Sequence, residues 1–334
     1  MRKLLFIFSL ITMIYSCSKG DDDTSTSIQF KPSALEATGN LSEQSIEEAK
    51  KIIFGKWDFS SSSSARSACM LISLEFTSQN YFMTLDNGDR GSLSGKFTLA
   101  ENASGKVEKV ELKYISENNS ETVIAVLTNM VVTKTGSDLN ATFNLSLTLP
   151  SDSEASFSSC NDALSGNIAA KKAEPMAESK NSSPDSNHAK FIGTWVMTSF
   201  DFVDYDGKKE GLEDMLKRVC EDQNFNWDTG EIKTVMIEGC IVPSSFMVEI
   251  SPYGTWVSLY LDINGGILDS DAGIWKWMDS SQKIFRTADD SYQFDAIPER
   301  ERFYSTITSI STSKMTITGT DGYGSTGSYT LKKI

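Results

Sequence analysis

Apolar and polar positions alternate over short runs along most of the chain. In the first half, Ser73 to Phe76, Tyr81 to Leu85 and Ala141 to Leu149 keep a period of two. In the second half, Met247 to Ile250, Thr255 to Asp262, Ile274 to Trp277, Tyr292 to Asp295, Phe303 to Ile307, Met315 to Thr318 and Ser328 to Lys332 do the same. That period turns one face of a strand to a core and the other to water. Asp86-Asn87-Gly88, Asn264-Gly265-Gly266 and Asp321-Gly322 supply turn residues that tolerate the positive φ of tight hairpins. Many short strands at close spacing imply a sandwich or an up-and-down barrel. Two stretches keep helical spacing instead. Ser45-Ile46-Glu47-Glu48 fits a capping box with Ile46, Ala49 and Ile53 on one face, and Leu212, Met215, Leu216 and Val219 form a second apolar stripe. The second helix is expected to cover an open end or a flank of the barrel.

The amino end follows another rule. Arg2 and Lys3 precede a mostly apolar run from Leu4 to Tyr15, well short of the roughly 20 residues that span a bilayer. It ends at Ile14-Tyr15-Ser16-Cys17, which resembles the lipobox of bacterial lipoproteins, with the bulky Tyr15 as a departure. The resemblance implies cleavage before Cys17 and acylation of its thiol and amine, several chains making a durable anchor. Asp21-Asp22-Asp23 close behind resembles signals that send some Gram-negative lipoproteins to the outer face of the outer membrane, although an acidic, Ser/Thr-rich tether has this composition anyway. The expected location is therefore the outer membrane, lipid-anchored, at the cell surface. Residues 166–189 are rich in Ala, Lys, Ser and Pro and read as a flexible linker. The expected organisation is a signal peptide over 1–16, the lipidated cysteine and tether over 17–40, a first domain over 41–165, the linker, and a second domain over 190–334.

The two domains echo each other. Ile53-Phe54-Gly55-Lys56-Trp57 matches Phe191-Ile192-Gly193-Thr194-Trp195, and Gly95-Lys96-Phe97 matches Gly273-Ile274-Trp275. Between them, the interval from Glu75 to Leu85 equals that from Glu249 to Leu259. Three blocks in one order point to two copies of one fold. A short helix followed by Gly-Lys-Trp at 55–57 or Gly-Thr-Trp at 193–195 resembles the lipocalin family, in particular lipocalin-like domains of bacterial lipoproteins. The likeness extends over the second domain through Cys220-Glu221-Asp222, Tyr253-Gly254-Thr255-Trp256 and Trp275-Lys276-Trp277 to Met315-Thr316-Ile317 and Tyr329-Thr330-Leu331. It implies an all-β fold of two tandem antiparallel up-and-down barrels, each with a short helix, whose eight-stranded interior holds either a small apolar molecule or its own side chains. It also implies that Trp57 and Trp195 pack across a closed end as structure. The first domain matches less well, and its charged strand 107–114 suggests an open or flattened barrel.

Charge and chemistry narrow the function. The net charge of −14 becomes −16 once Arg2 and Lys3 leave with the signal, which disfavours nucleic acid. One histidine, His188, falls in the linker and reads as solvated, so Ser-His-Asp, Cys-His and His-rich metal sites are not expected. Asp204, Asp206, Gly207 and Glu213 sit at EF-hand intervals, but Phe202 stands at the first ligand position, and an Asp/Gly turn explains them more simply. No carboxylate pair stands out for glycoside hydrolysis. Neither an enzyme nor a cofactor is expected. Beyond Cys17, Cys69, Cys160, Cys220 and Cys240 allow three pairings, and Cys69–Cys160 with Cys220–Cys240 is favoured because the linker separates the copies. Trp256, Tyr260, Trp275, Trp277 and Phe294 are the candidate ligand residues. Trp275 and Trp277 share one strand face. Facing inward they line a cavity or fill a solid core; facing outward they form a platform for sugar rings. The partner is thus a small apolar or amphiphilic ligand, or, in the competing class, a glycan or a protein contacting a filled barrel.

Overall fold

The structure is a computed structural model that describes residues 37–59, 69–86, 90–115, 121–149, 160, 164–204, 206–225, 232–289, 304–320 and 324–334. Cys17 and Phe294 lie outside these residues, as do the strand expected over 292–295 and the Asp321-Gly322 turn.

Two closed antiparallel eight-stranded barrels make up the fold. The first consists of β1 (Gly55–Asp58), β2 (Met70–Phe76), β3 (Asn80–Asp86), β4 (Arg90–Glu101), β5 (Val107–Ile115), β6 (Glu121–Thr135), β7 (Asp138–Leu147) and β8 (Gly166–Lys172), each paired with the next, and β8 returning to β1. The second consists of β9 (Gly193–Val203), β13 (Ser245–Ile250), β14 (Thr255–Leu261), β15 (Ile267–Trp277), β16 (Ile284–Asp289), β17 (Tyr304–Ile310), β18 (Lys314–Thr320) and β19 (Thr326–Lys333), closed by β19 against β9. Between β9 and β13 an insertion carries β10 (Lys209–Gly211), helix α4 (Leu212–Lys217) packed on β9 and β10, and a hairpin of β11 (Glu221–Phe225) with β12 (Ile232–Met236).

Two expectations change. The stretch 166–189 is folded rather than a flexible linker: β8 is the strand that closes the first barrel, and α2 (Ala177–Asn181) and α3 (Asn187–Phe191) follow it. Its small and charged composition hides a strand because the inward residues, Ile168, Ala170 and Lys172, include one large apolar side chain alone. The first barrel is also neither open nor flattened. On β5, Val110 and Leu112 point into the core while Lys109, Glu111 and Lys113 stay outside, where Lys109–Glu111 and Lys113–Glu121 each pair at 2.6 Å. Alternation let the charges coexist with a filled interior.

Both copies close one end with the same device. Helix α1 (Ile46–Ile53), capped by Ser45 on the Glu48 N–H, ends just before Gly55; α3, capped by Ser186 on the Ala189 N–H, ends just before Gly193. Gly55 and Gly193 have φ of 103° and 132°, a turn from helix to strand that a side chain would strain. Two residues later Trp57 donates its indole N–H to the Ile53 carbonyl at 2.8 Å, and Trp195 donates to the Phe191 carbonyl at 2.8 Å. The last strand lays a lysine on each ring, Lys172 at 4.9 Å from the Trp57 ring centre and Lys333 at 5.0 Å from that of Trp195. Gly95 and Gly273 are matched as well, since a Cβ at either would drive into a neighbouring strand's carbonyl oxygen, that of Lys113 or Ala288.

One part of the echo shifts. Glu75 pairs with Phe82 and Glu249 with Val257, so the intervening turn is one residue longer in the second copy. Leu85 therefore corresponds to Tyr260, not to Leu259, and a one-residue slip reverses the face. Leu85 lies in the first barrel's core, whereas Leu259 points out and packs with Val257 and Ile267 against Phe82 of the first barrel.

Disulfides join Cys69 to Cys160 and Cys220 to Cys240. With sequence separations of 91 and 20 residues, the chain-entropy relation gives stabilisations on the order of 4–5 and 3 kcal/mol. The first ties the β1–β2 connection to the segment before β8; the second ties the 3-10 turn after α4 to the far end of the hairpin.

The two lysines should respond differently to substitution. Lys333 Nζ donates to the Lys190 and Ile192 carbonyls at 2.9 and 2.6 Å, holding the end of α3. Lys172 Nζ is buried without a hydrogen-bond partner among the described residues, and burial pushes its pKa down to about 8. Denaturant unfolding should show Lys333→Met losing about 1.5–3 kcal/mol, the worth of charged hydrogen bonds, and Lys172→Met changing stability by less than about 1 kcal/mol. Equal losses would mean that both lysines serve only as apolar stems.

Candidate functional site in the second barrel

Register decides which way the candidate aromatics face. Val248 and Ile250 pack in the second core and pair with Ser258 and Trp256; Phe246 pairs with Tyr260. Trp256, Ser258 and Tyr260 therefore line the inner wall. Trp256 pairs with Gly273, which places Trp275 and Trp277 on that wall too. They face inward, and the outward platform for sugar rings is not formed by this pair.

Three of the expected ligand residues nevertheless build a floor rather than line a cavity. Trp275 is 3% exposed, donates Nε1–H to the Ser251 carbonyl at 3.1 Å and meets Phe191 edge-on at 5.0 Å. Trp277 lies 5.0 Å from Phe191 and 5.4 Å from Trp275, ring centre to ring centre. Trp256 packs against the same cluster. Together with Trp195 and Phe285 these rings fill the helix-capped half of the barrel. Their bulk, and not an outward orientation, removes the cavity there.

Above the floor the barrel differs. Tyr260 stands edge-on to Phe246 at 4.9 Å, and Phe200 stacks on Phe202 at 6.0 Å; all four rings are only half-buried. Asp269, opposite Tyr260, and Asp271, opposite Ser258, share the inner face and are exposed. The Tyr260 hydroxyl is held above its ordinary pKa by burial and then by Asp269 and Asp271, with Arg218 of the insertion pulling it down. The first barrel carries apolar residues at two of the matching positions. Leu85 stands where the second copy has Tyr260, Leu93 where it has Asp271, and both are buried. Sequence reading missed Phe200, Phe202, Phe246, Asp269 and Asp271; the signal lay in the strand register, which for Asp269 and Asp271 the longer turn displaced.

His188 is not solvated. It is 1% exposed, with Trp277 donating Nε1–H to Nδ1 at 2.9 Å and Ser179 Oγ 2.6 Å from Nε2. A serine that close to an imidazole invites comparison with a nucleophile and its base. The indole can only donate, so Nδ1 carries no proton and the neutral ring holds its hydrogen on Nε2. Ser179 accepts that hydrogen and passes its own to the Pro252 carbonyl at 3.0 Å. His188 in this tautomer cannot take a proton from Ser179; it wires α2 and α3 to the floor. Beside it, Ala177, Glu178, Asn181, Ser182 and Gln282 rim an open surface hollow of about 310 Å³.

The EF-hand intervals resolve into a turn, in which the Asp204 carboxylate accepts the Asp206 and Lys208 N–H groups at 2.9 and 2.8 Å while Glu213 pairs with Lys217. Among the described residues no three His, Cys, Asp or Glu side chains converge as a metal site would require.

No family model and no curated protein matches the chain. Among solved structures it aligns with a protein of unknown function from the DUF3598 family of Nostoc punctiforme PCC 73102, at 12% identity over 84% of this chain and 96% of that one. The TM-score is 0.16, too low to carry any weight.

Burial holds His188 down to a pKa of about 4, against the opposing pull of the Glu178 carboxylate. The unfolded ring titrates near 6.5, so its contribution is complete above about pH 6.5 and drains away as pH falls towards 4. Chemical denaturation of the folded chain between pH 7 and 4 should show this loss. His188→Leu should flatten the slope and lower stability at pH 7 by about 1–3 kcal/mol, because the Trp277 N–H is left unpaired. An unchanged acid slope in the variant would exclude His188 as its source.

Proposed function

We propose that the protein is a non-enzymatic binding module, anchored by a lipid on Cys17 in the outer membrane and displayed at the cell surface. In this reading its second lipocalin-like barrel takes a small amphiphilic ligand above the aromatic floor. The observation that carries it is the exchange of inner-wall residues between the copies. Where the first barrel places Leu85 and Leu93 in a filled core, the second places half-buried Tyr260 and exposed Asp271, backed by Phe246, Phe200 and Phe202. Rings on the wall favour an apolar body, removing ligand surface from water at roughly 25 cal/mol per Å². The carboxylates favour a hydrogen-bond donor or a cationic head on the same ligand. The lipobox-like Ile14-Tyr15-Ser16-Cys17 and the acidic residues behind it favour lipid anchorage and a role outside the cell.

A second reading has an observation of its own. The insertion that the Cys220–Cys240 bridge closes exposes Met236, Ile237, Ile241 and Val242, at 54, 47, 49 and 39%. A barrel that holds no ligand would then serve as the mount for this apolar segment at the end of the hairpin against a partner protein.

Titration of the folded chain with Nile red, a neutral apolar dye, separates the two. Saturable binding is expected, displaced by a long-chain alkylammonium more readily than by an alkyl sulfate of equal length. Copying the first barrel's residues through Tyr260→Leu with Asp271→Leu should weaken dye binding at least about tenfold, the effect of roughly 1.4 kcal/mol. No saturable signal, or equal binding by the filled variant, would reject the lumen and leave the hairpin as the working surface.

A further inference from the structure

The two barrels meet along a seam with the reciprocity of a homodimer. Each copy contributes one glutamate from the outer face of its second strand, Glu75 on β2 and Glu249 on β13. Each reaches into the turn of the other copy. Ser251 Oγ donates to Glu75, and Thr255 also bonds it. Glu249 accepts from Asn80 Nδ2 at 2.9 Å and bonds Thr77. Thr77 and Ser251 are the same position in the repeat, two residues after the glutamate. Nearby, Ser94 Oγ lies 2.6 Å from Ser270 Oγ, and Lys96 donates to the Gly265 carbonyl at 2.7 Å. Phe82 of the first barrel packs with Val257, Leu259 and Ile267 of the second. In a two-fold contact, residue i meets j and j meets i; here one chain supplies both sides.

The chemistry of the two acids is unusual for a seam. Glu75 is 2% exposed and Glu249 5%. Glu75 Oε2 has no hydrogen-bond partner among the described residues, and a void of about 10 Å³, lined in part by Lys56, Glu75, Phe82 and Thr255, lies beside it. The Thr77 hydroxyl donates to the Asn80 carbonyl at 2.9 Å and accepts the Asn80 N–H at 3.1 Å, which fixes the turn beside Glu249.

We propose that this seam is a protonation-controlled joint: the barrels are locked together while Glu75 and Glu249 carry protons, and they part when the two acids ionise. Burial is the main cause that pushes Glu249 up to about 7, outweighing the Asn80 and Thr77 hydrogen bonds that favour the anion, with Glu75 adding to the rise; burial likewise raises Glu75, against the pull of Lys56 and of the Ser251 and Thr255 hydrogen bonds, helped by Asp58 on the same strand. The other charged or titratable groups facing the pair are Tyr253, on the turn that holds Ser251, and Lys172, which shares the space over Gly55 with Tyr253. Both acids have ordinary carboxyl values once the seam opens. The locked state is therefore fully favoured below about pH 4.5 and weakens as pH rises through about 7. The ratio of locked to parted forms falls by up to about tenfold per pH unit for each acid across that window. This direction is opposite to that of His188, so the two effects separate on one pH axis.

Small-angle X-ray scattering of the full folded chain between pH 5 and 8.5 tests the joint. The wild type should be compact at pH 5 and show a larger radius of gyration and maximum dimension at pH 8.5. Glu75→Gln with Glu249→Gln, neutral at every pH, should stay compact throughout. Glu249→Gln alone is the second variant, expected to fold in the same way and to lose the step near neutrality. Identical scattering of the wild type at both pH values would overturn the proposal. So would a glutamine variant that keeps its disulfides and β circular dichroism yet expands as the wild type does.

Discussion

A single contact, repeated in each copy, organises the fold: an indole N–H donated back to the last carbonyl of the preceding helix, under a lysine from the final strand. It joins the beginning of each barrel to its end. The helix carbonyl needs a partner because nothing follows it in helical register, and the tryptophan supplies one while sealing the barrel mouth. Gly55 and Gly193 make the turn between the two. Without that seal the eight strands would close around an open end, and the rings stacked on it in the second barrel would have no floor to stand on. The copies diverge only in how they support it. Lys333 ties down α3, whereas Lys172 lies over its tryptophan with no partner among the described residues.

Duplication leaves one copy free to change while the other keeps its packing. The first barrel is filled with aliphatic and aromatic side chains from end to end. The second concentrates its bulk at the sealed half and exchanges leucines for a tyrosine and an aspartate on the opposite half of the wall. It also gains the disulfide-closed insertion between its first two barrel strands. On the outward face the copies stay alike at the seam, where Glu75 and Glu249 hold equivalent positions and each bonds the other copy's turn.

Much of this was legible in the sequence. Period-two alternation exposed most strands of the second barrel, the repeated Gly-x-Trp located both seals, and cysteine placement identified both bridges. What failed did so for physical reasons. The strand 166–172 puts Ile168, Ala170 and Lys172 on its inner face, a single large apolar residue among small and charged ones, so hydrophobicity was too weak to reveal it, although Lys171-Lys172 and Lys332-Lys333 end the two copies in the same way. His188 looked solvated because no local pattern reveals that Trp277, 89 residues away, covers it. Equal spacing made Leu85 and Leu259 look equivalent, whereas one extra turn residue sends them to opposite faces. The seam was invisible because reciprocity between copies is a property of docking and leaves no periodicity in either strand.

The docking of the paired copies along their shared seam is open to direct chemical cross-linking. Ser94 and Ser270 face each other across it with their oxygens 2.6 Å apart, close enough for two sulfurs to bond in their place. The variant Ser94→Cys with Ser270→Cys should oxidise to a new disulfide, read as a cross-linked peptide containing residues 94 and 270 in a non-reduced digest. Two free thiols at these positions, with the native Cys69–Cys160 and Cys220–Cys240 bridges intact, would contradict it.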